Sequence, residues 1–536
     1  MTTRRMTRRG FLQCAGMAPA MAMRAPNLAL GLARSDDRAK LAHRTRRIIF
    51  NDDGDDVWNT NAATPDGFIN VRLVHMRDTQ ADTLFYCTTQ SFSFFTHHTK
   101  VGDVFLRQEG PFAHNNMQAL LDLGTDPLKL AVEFAHKNGV EAVWTLRMND
   151  IHDAFTPALW GPWKDEHPDA LLGKREDWDA SPAGGQRRWW SGVNFYRDDV
   201  RQRTVALIEE VARNYDVDGI DLDWLRHPIH FPETREGTPV EQRGMKLITG
   251  LVRDVRQMLE RVGDERGRPI LLWTRVPLTI EHGLYMGTDI ETWLKEGLVD
   301  LVTIGGGYVP FSMPVDEVAK LAQSHGVPAY PCVSNSGMLR RQPFGPGTPY
   351  AIEGWRAAAA NAFRNGASGI SLFNLFPEPG KEDHNRFVRQ VFNEVGEPAT
   401  LAGKDKLFCL DNAAHLDGCG YINHVVPYQQ CLPKPLAADR TTAVSVPIGD
   451  DPAQTRSAEL RVQIEGEAQI AVSINGSQTP LAPSLALNEC FGMRWFTGPV
   501  ALDGLNQGAN QLEARHSQTP GDPARLVAAE ILIRYA

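Results

Sequence analysis

The stretch YDVDGIDLDWLRHP, residues 215–228, sets Asp221 and Asp223 two positions apart in an apolar run and follows them with Arg226 and His227. Buried carboxylates are costly unless paired or hydrogen-bonded. Two on one face also perturb each other's pKa. Such a pair suits work at an acetal carbon, where one group protonates a leaving oxygen and the other attacks the carbon or activates water. Two more stretches carry similar residues. LRMNDIHD at 146–153 supplies Arg147, Asn149, Asp150, His152 and Asp153, and NDDGDD at 51–56 supplies Asp53. WTRVP at 273–277 adds Arg275.

These residues need a frame that brings them together. From about residue 46 short β-rich runs alternate with longer amphipathic ones. Eight strands are expected, at 47–52, 83–89, 141–149, 218–224, 269–276, 298–306, 327–334 and 369–376. Apolar residues between them recur at helical spacing. DPLKLAVEFAHKNG, for example, opens on an Asp cap with Pro in its first turn and closes on Gly139. Eight βα repeats predict an α/β fold, a (β/α)8 TIM barrel. The alternative, an open doubly wound sheet, lacks a phosphate-binding glycine fingerprint after the first strand. After about residue 400 helical spacing gives way to short alternating runs between turn residues, which predicts a small all-β sandwich. The expected organisation is a signal and linker over 1–40, the barrel over 41–400 and the sandwich over 401–536.

A barrel places its chemistry at the C-terminal ends of its strands. In the fourth strand, alternation turns Ile220, Leu222 and Trp224 to the helices and Asp221 and Asp223 inward. Asp223 lies at the mouth and Asp221 about 6–7 Å below. Asp223 is expected to be nucleophile or base, and the acid partner is Asp150 or, second, Asp53. Arg147, Asn149, Arg226, His227 and Arg275 are candidate substrate contacts. The loop after strand three carries Trp160, Trp163, Trp178, Trp189 and Trp190. Indole faces suit sugar rings, so Trp189 and Trp190 join that group. NDDGDD itself reads as a solvated turn, because the twelve-residue calcium-loop pattern is missing.

The 536 residues are 42% hydrophobic and 23% charged with a net charge of −9, an ordinary globular balance that argues against a nucleic-acid partner. TRRGFLQ at 7–13 precedes a short apolar stretch and resembles a twin-arginine export signal, which implies a periplasmic or extracellular protein. No other stretch reaches a membrane-spanning length. Of seven cysteines, Cys87 and Cys332 lie in strand-like runs as core thiols. Cys409, Cys419, Cys431 and Cys490 cluster near the C-terminus, where one or two disulfides would fit an oxidising compartment. No cofactor pattern is read, and the oligomeric state is left open.

YDVDGIDLDWLRHP together with LRMNDIHD resembles the glycosyl-hydrolase-like family 10 barrels, over about residues 45–395. The resemblance implies an exported hydrolase acting on a polysaccharide or glycoside. Asp218, Asp221 and Asp223 are also similar to the D-x-x-D-x-D-x-E motif of family 18 chitinases, but Leu225 stands where that motif has its final Glu. Two other readings compete. One is a metal-dependent barrel hydrolase using His97, His98, His114, His152 or His227 with aspartates, although no diagnostic spacing such as HExxH is present. The other is a non-catalytic carbohydrate-binding barrel.

Overall fold

The computed structural model describes residues 36–176, 189–305, 314–334, 352–410, 432–437, 440–466, 470–484, 493–516 and 524–535. The export signal, Trp178, Cys14, Cys419, Cys431 and Cys490 lie outside the described residues.

Eight parallel strands close into a barrel: β1 Ile48–Asp52, β2 Ala81–Cys87, β3 Glu141–Arg147, β4 Gly219–Asp223, β5 Leu271–Val276, β6 Leu301–Ile304, β7 Ala329–Ser334 and β8 Ile370–Phe373. Each pairs with its sequence neighbours, and β1 pairs β8 to complete the circle. Helices α1 Pro65–Val71, α2 Pro127–Lys137, α3 Asp198–Asn214, α4 Gln242–Arg266, α5 Ile290–Lys295, α6 Asp316–Ser324, α7 Ile352–Arg364 and α8 Glu382–Glu394 follow the strands in turn. The eight expected strands fall where the sequence puts them, but the sixth is five residues shorter than expected, the eighth four shorter, and the second starts two residues earlier. The caps explain local boundaries. The Asp126 carboxylate accepts from Lys129 N–H at 2.9 Å to open α2. Gly139 beyond its end has φ +70°, a left-handed conformation that glycine adopts without strain.

Alternation sorts the strand residues. Ile220, Leu222 and Trp224 pack outward in the main core, with Trp224 beside Trp293 of α5 at 5.8 Å between ring centroids. Inside the barrel Ile49, Phe85, Val143, Leu271, Trp273, Leu301 and Tyr330 form an apolar plug. Beneath it, at the N-terminal end, Arg46 makes two 2.6 Å bonds to the Glu141 carboxylate, both groups buried. Above it the inward residues turn polar.

Beyond the barrel lie two antiparallel sheets. Strands β9 Lys406–Leu410, β10 Lys434–Leu436, β12 Ser457–Glu465, β15 Ala482–Pro483, β16 Met493–Val500 and β18 Ala524–Arg534 form one sheet, in the order β9-β18-β12-β16-β15 with β10 also on β18. Strands β11 Thr441–Ile448, β13 Ile470–Ile474, β14 Ser477–Thr479 and β17 Gly508–His516 form the other, in the order β11-β17-β13-β14. Alternate residues of β11 are buried, including Val444, Val446 and Ile448, as a sandwich strand requires. β9 and β11 lie against α7, whose residues Ala357 to Ala360 and Ala362 are buried. Among the described residues no helix is long and apolar enough to cross a membrane.

Candidate active site

The mouth of the barrel is lined by one circuit of polar contacts. At the end of β4, Asp223 Oδ1 accepts from the N–H groups of Leu225 and Arg226 at 2.9 and 3.0 Å, which fixes the turn after the strand. Its Oδ2 lies 3.3 Å from Arg275 Nη1 of β5. Arg275 Nη2 then donates to Asn51 Oδ1 of β1 at 2.7 Å, and Asn51 Nδ2 faces Asp53 Oδ1 at 3.3 Å. Asp53 pairs with Arg147 Nη2 of β3 at 2.8 Å, and Arg147 Nη1 reaches Asp150 Oδ2 at 3.2 Å. Asp150 Oδ1 holds His152 Nδ1 at 2.7 Å. His152 Nε2 faces Arg226 Nη2 at 3.0 Å, and the backbone of Arg226 returns to Asp223.

Asp221 sits one layer below, between Thr145 of β3 and Trp273 of β5 in the strand register. It is wholly buried, and neither carboxylate oxygen has a hydrogen-bond partner among the described residues. Its one counter-charge among the described residues is Arg275, at 4.0 Å. Burial pushes its pKa up to about 7. Arg275 pulls the other way, and neighbouring Asp223 adds to the rise. Around the circuit three guanidinium groups, Arg147, Arg226 and Arg275, face three carboxylates, Asp53, Asp150 and Asp223.

The other acids behave differently. Burial works against ionisation of Asp53, yet Arg147 and Arg226 outweigh it and hold its pKa down at about 2. Burial also opposes Asp150, but His152, Arg147 and His227 keep it well below the usual carboxylate range. Asp150 is fully buried, whereas the His152 side chain it orients is 30% exposed. His227 is buried, accepts the Ile151 N–H at 3.3 Å on Nδ1, and is driven well below the usual imidazole range, first by burial and then by His152.

The structure therefore brings Asp53, Arg147, Asp150, Asp221, Asp223, Arg226, His227 and Arg275 to one mouth. Asn149 is a clamp: its Nδ2 donates to the Val193 carbonyl at 2.9 Å and to the Ile229 carbonyl, and its Oδ1 accepts Val193 N–H at 2.8 Å. The tryptophans, expected at the mouth for sugar binding, are largely packed. Trp189 sits in a small core with Ile151, Leu225 and Met286. Trp190 is buried and stacks on half-buried Trp160 at 5.0 Å. Trp163 lies against Phe92 and His167. The loop is pinned by wholly buried Lys164, whose Nζ reaches Asp153 Oδ2 at 2.5 Å and the Ser191 carbonyl at 2.8 Å.

The acidic turn, expected to be solvated, is also inside. Asp52 and Asp56 are buried and share the Arg72 guanidinium with Asp55, because Asp52 points outward from β1 and meets the arginine beyond α1. His152 entered the sequence reading only as a strand-end residue and a possible metal ligand, not as a catalytic or substrate-binding group. Its signal was the Asp150-x-His152 spacing in LRMNDIHD, which lets one aspartate bond both the His152 N–H, at 2.9 Å, and its ring.

Asp150, His152 and His227 are also the one group among the described residues whose donor atoms gather as metal ligands would, within 4.8 Å of one another. The fit is poor. His152 Nδ1 is committed to Asp150, and Arg226 and Arg147 bring two positive charges to the same atoms. His97 is buried elsewhere against Thr88.

No family model matches the chain, and no curated protein matches it. Solved structures with a similar course of chain include α-L-fucosidase isoenzyme 2 from Paenibacillus thiaminolyticus, 12% identical, with a TM-score of 0.42 over 65% of this chain and 49% of that one. This chain thus matches about half of the fucosidase's length. The PgaB (BpsB) glycoside hydrolase domain from Bordetella bronchiseptica is 10% identical, with a TM-score of 0.44 over 65% of this chain and 99% of that one. An Anoxybacillus α-amylase is 12% identical, with a TM-score of 0.37 over 89% and 100%.

Proposed function

We propose that this chain is an exported glycoside hydrolase that acts on a poly- or oligosaccharide, with Asp223 as the carboxylate working at the anomeric carbon. The observation that carries the reading is the stacked pair on β4. Asp223 is fixed at the mouth by two backbone N–H groups and Arg275, above a wholly buried Asp221 whose pKa burial pushes up to about 7. A developing oxocarbenium ion needs a fixed negative group beside it and hydrogen-bonding groups for the sugar hydroxyls. The circuit of Asn51, Asp53, Arg147 and Arg226 supplies such groups around the same opening. The family 10-like motif and the twin-arginine stretch support the substrate class and export.

The test is a screen of polysaccharides and aryl glycosides with the full chain beside Asp223→Asn, each folded by thermal melt and each repeated after chelation. Hydrolysis that falls ~10³-fold or more in the variant supports Asp223. Equal activity in both sinks the assignment. Loss on chelation, restored by a divalent ion, would move the chemistry to the Asp150, His152 and His227 group.

A further inference from the structure

A glycosidase must deliver a proton to the leaving oxygen, and at this mouth neither Asp53 nor Asp150 holds one at neutral pH. We propose that His152, oriented by Asp150, is the proton-transferring residue of the site; this rests on the glycosidase reading above.

The argument begins with the hydrogen bonds. An ionised carboxylate only accepts, so the 2.7 Å contact to Asp150 Oδ1 puts a proton on His152 Nδ1. A guanidinium only donates, so the 3.0 Å contact from Arg226 Nη2 falls on the Nε2 lone pair. These two contacts assign the proton to Nδ1 and the lone pair to Nε2, on a side chain that is 30% exposed. A buried aspartate behind an imidazole fixes its orientation and stabilises the imidazolium when Nε2 gains a proton. Asp150 meets both needs, being fully buried and bonded to the ring and backbone of His152 at once. His227 packs edge-on to the ring at 4.9 Å. The charged groups facing His152 are therefore Asp150 on its own loop, with Arg147 behind it, and Arg226 from the β4 side. Arg226 occupies the place a leaving oxygen needs. Protonation of Nε2 removes its hydrogen bond and frees it for the substrate.

In the reaction the His152 Nε2 proton passes to the glycosidic oxygen as the C–O bond breaks, and the bonding electron pair stays on that oxygen. Asp223 attacks the anomeric carbon or takes the proton of the water that does. In the first case water then adds to the glycosyl ester, gives its proton to neutral His152 and releases the Asp223 carboxylate. In the second, solvent exchange resets both groups. Asp150 is a positioning residue throughout.

The test uses full-length His152→Gln and Asp150→Asn with aryl glycosides of the sugar the wild type hydrolyses. Phenyl glycosides need a proton donor, whereas 2,4-dinitrophenyl glycosides leave without one. The expected result is a loss of ~10²–10⁴-fold on the phenyl substrate and little on the dinitrophenyl one. The alkaline fall in kcat/KM should disappear in His152→Gln and move to lower pH in Asp150→Asn, which loses the charge that stabilises imidazolium. Equal loss on both substrates, or no loss on either, overturns the proposal. An inactive Asp223→Asn beside a His152→Gln that behaves as wild type rejects only the role of His152. A wild type that hydrolyses no glycoside rejects the glycosidase reading and this inference together.

Discussion

Arg275 of β5 donates from Nη2 to the side-chain oxygen of Asn51 on β1, at 2.7 Å, across the full width of the barrel mouth. The two strands stand four places apart in a ring of eight, so this bond spans a diameter. Arg275 thereby floors the mouth, with Asp223 on its other nitrogen and Asp221 below. Replacing it by Met should strip buried Asp223 of its nearest counter-charge and destabilise the fold by ~3–5 kcal/mol. Arg275→Lys keeps the charge but loses the fork, so it should fall between the two in denaturant melts at pH 7.

Much of this was legible in the sequence, for a physical reason. Period-two alternation inside an apolar run fixes which face a strand residue takes, so Asp221 and Asp223 could be placed inward, and Ile220 and Trp224 outward, from spacing alone. The circuit was harder to read because its partners come from four strand ends whose loops set the final few ångströms. His152 gains its role from an aspartate two residues back and an arginine from another strand. Indole chemistry suits both a sugar platform and a core, and only the tertiary packing buries Trp189.

The protonation of Asp221 should be visible in stability. A carboxyl whose folded pKa stands near 7, above the 3.8 of an unperturbed aspartate, favours the folded state fully below about pH 3.8. That contribution is lost as pH rises through about 7. At ~1.4 kcal/mol per pH unit, the loss approaches ~4 kcal/mol at pH 8. Asp221→Asn removes the titration, so its melting temperature should gain on the wild type between pH 5 and pH 8. A difference that does not change with pH would count against a buried, neutral Asp221.

Lys164 is the pin of the aromatic loop. Lys164→Met leaves buried Asp153, still bonded to the Ser191 hydroxyl, without its counter-charge and takes the donor from the Ser191 carbonyl, and should cost ~3–5 kcal/mol by chemical denaturation. Pairing it with Asp153→Leu should recover most of that loss. Because Trp190 and Trp160 stack on the loop this pin holds, the single variant should also raise KM more than it lowers kcat.

Glu141 offers the opposite case, a buried ion pair at the bottom of the barrel. Glu141→Gln strips Arg46 of its counter-charge and should lower stability by ~3–5 kcal/mol. Its kcat/KM, measured well below the melting temperature, should match the wild type, because the chemistry sits at the other end of the strands.

The alanine face of α7 reaches further than packing. Gly449, at the end of β11, lies so close to the helix that a Cβ there would come within 2.6 Å of the Ala360 carbonyl carbon. Arg356 and Asn361 of α7 bond across the junction to Asp405 and Pro447. Such a seam leaves no room for a hinge. The sheets therefore act as a weld, not a module strung on a tether, and recombination that shuffled either half alone would expose a strip of alanine to water.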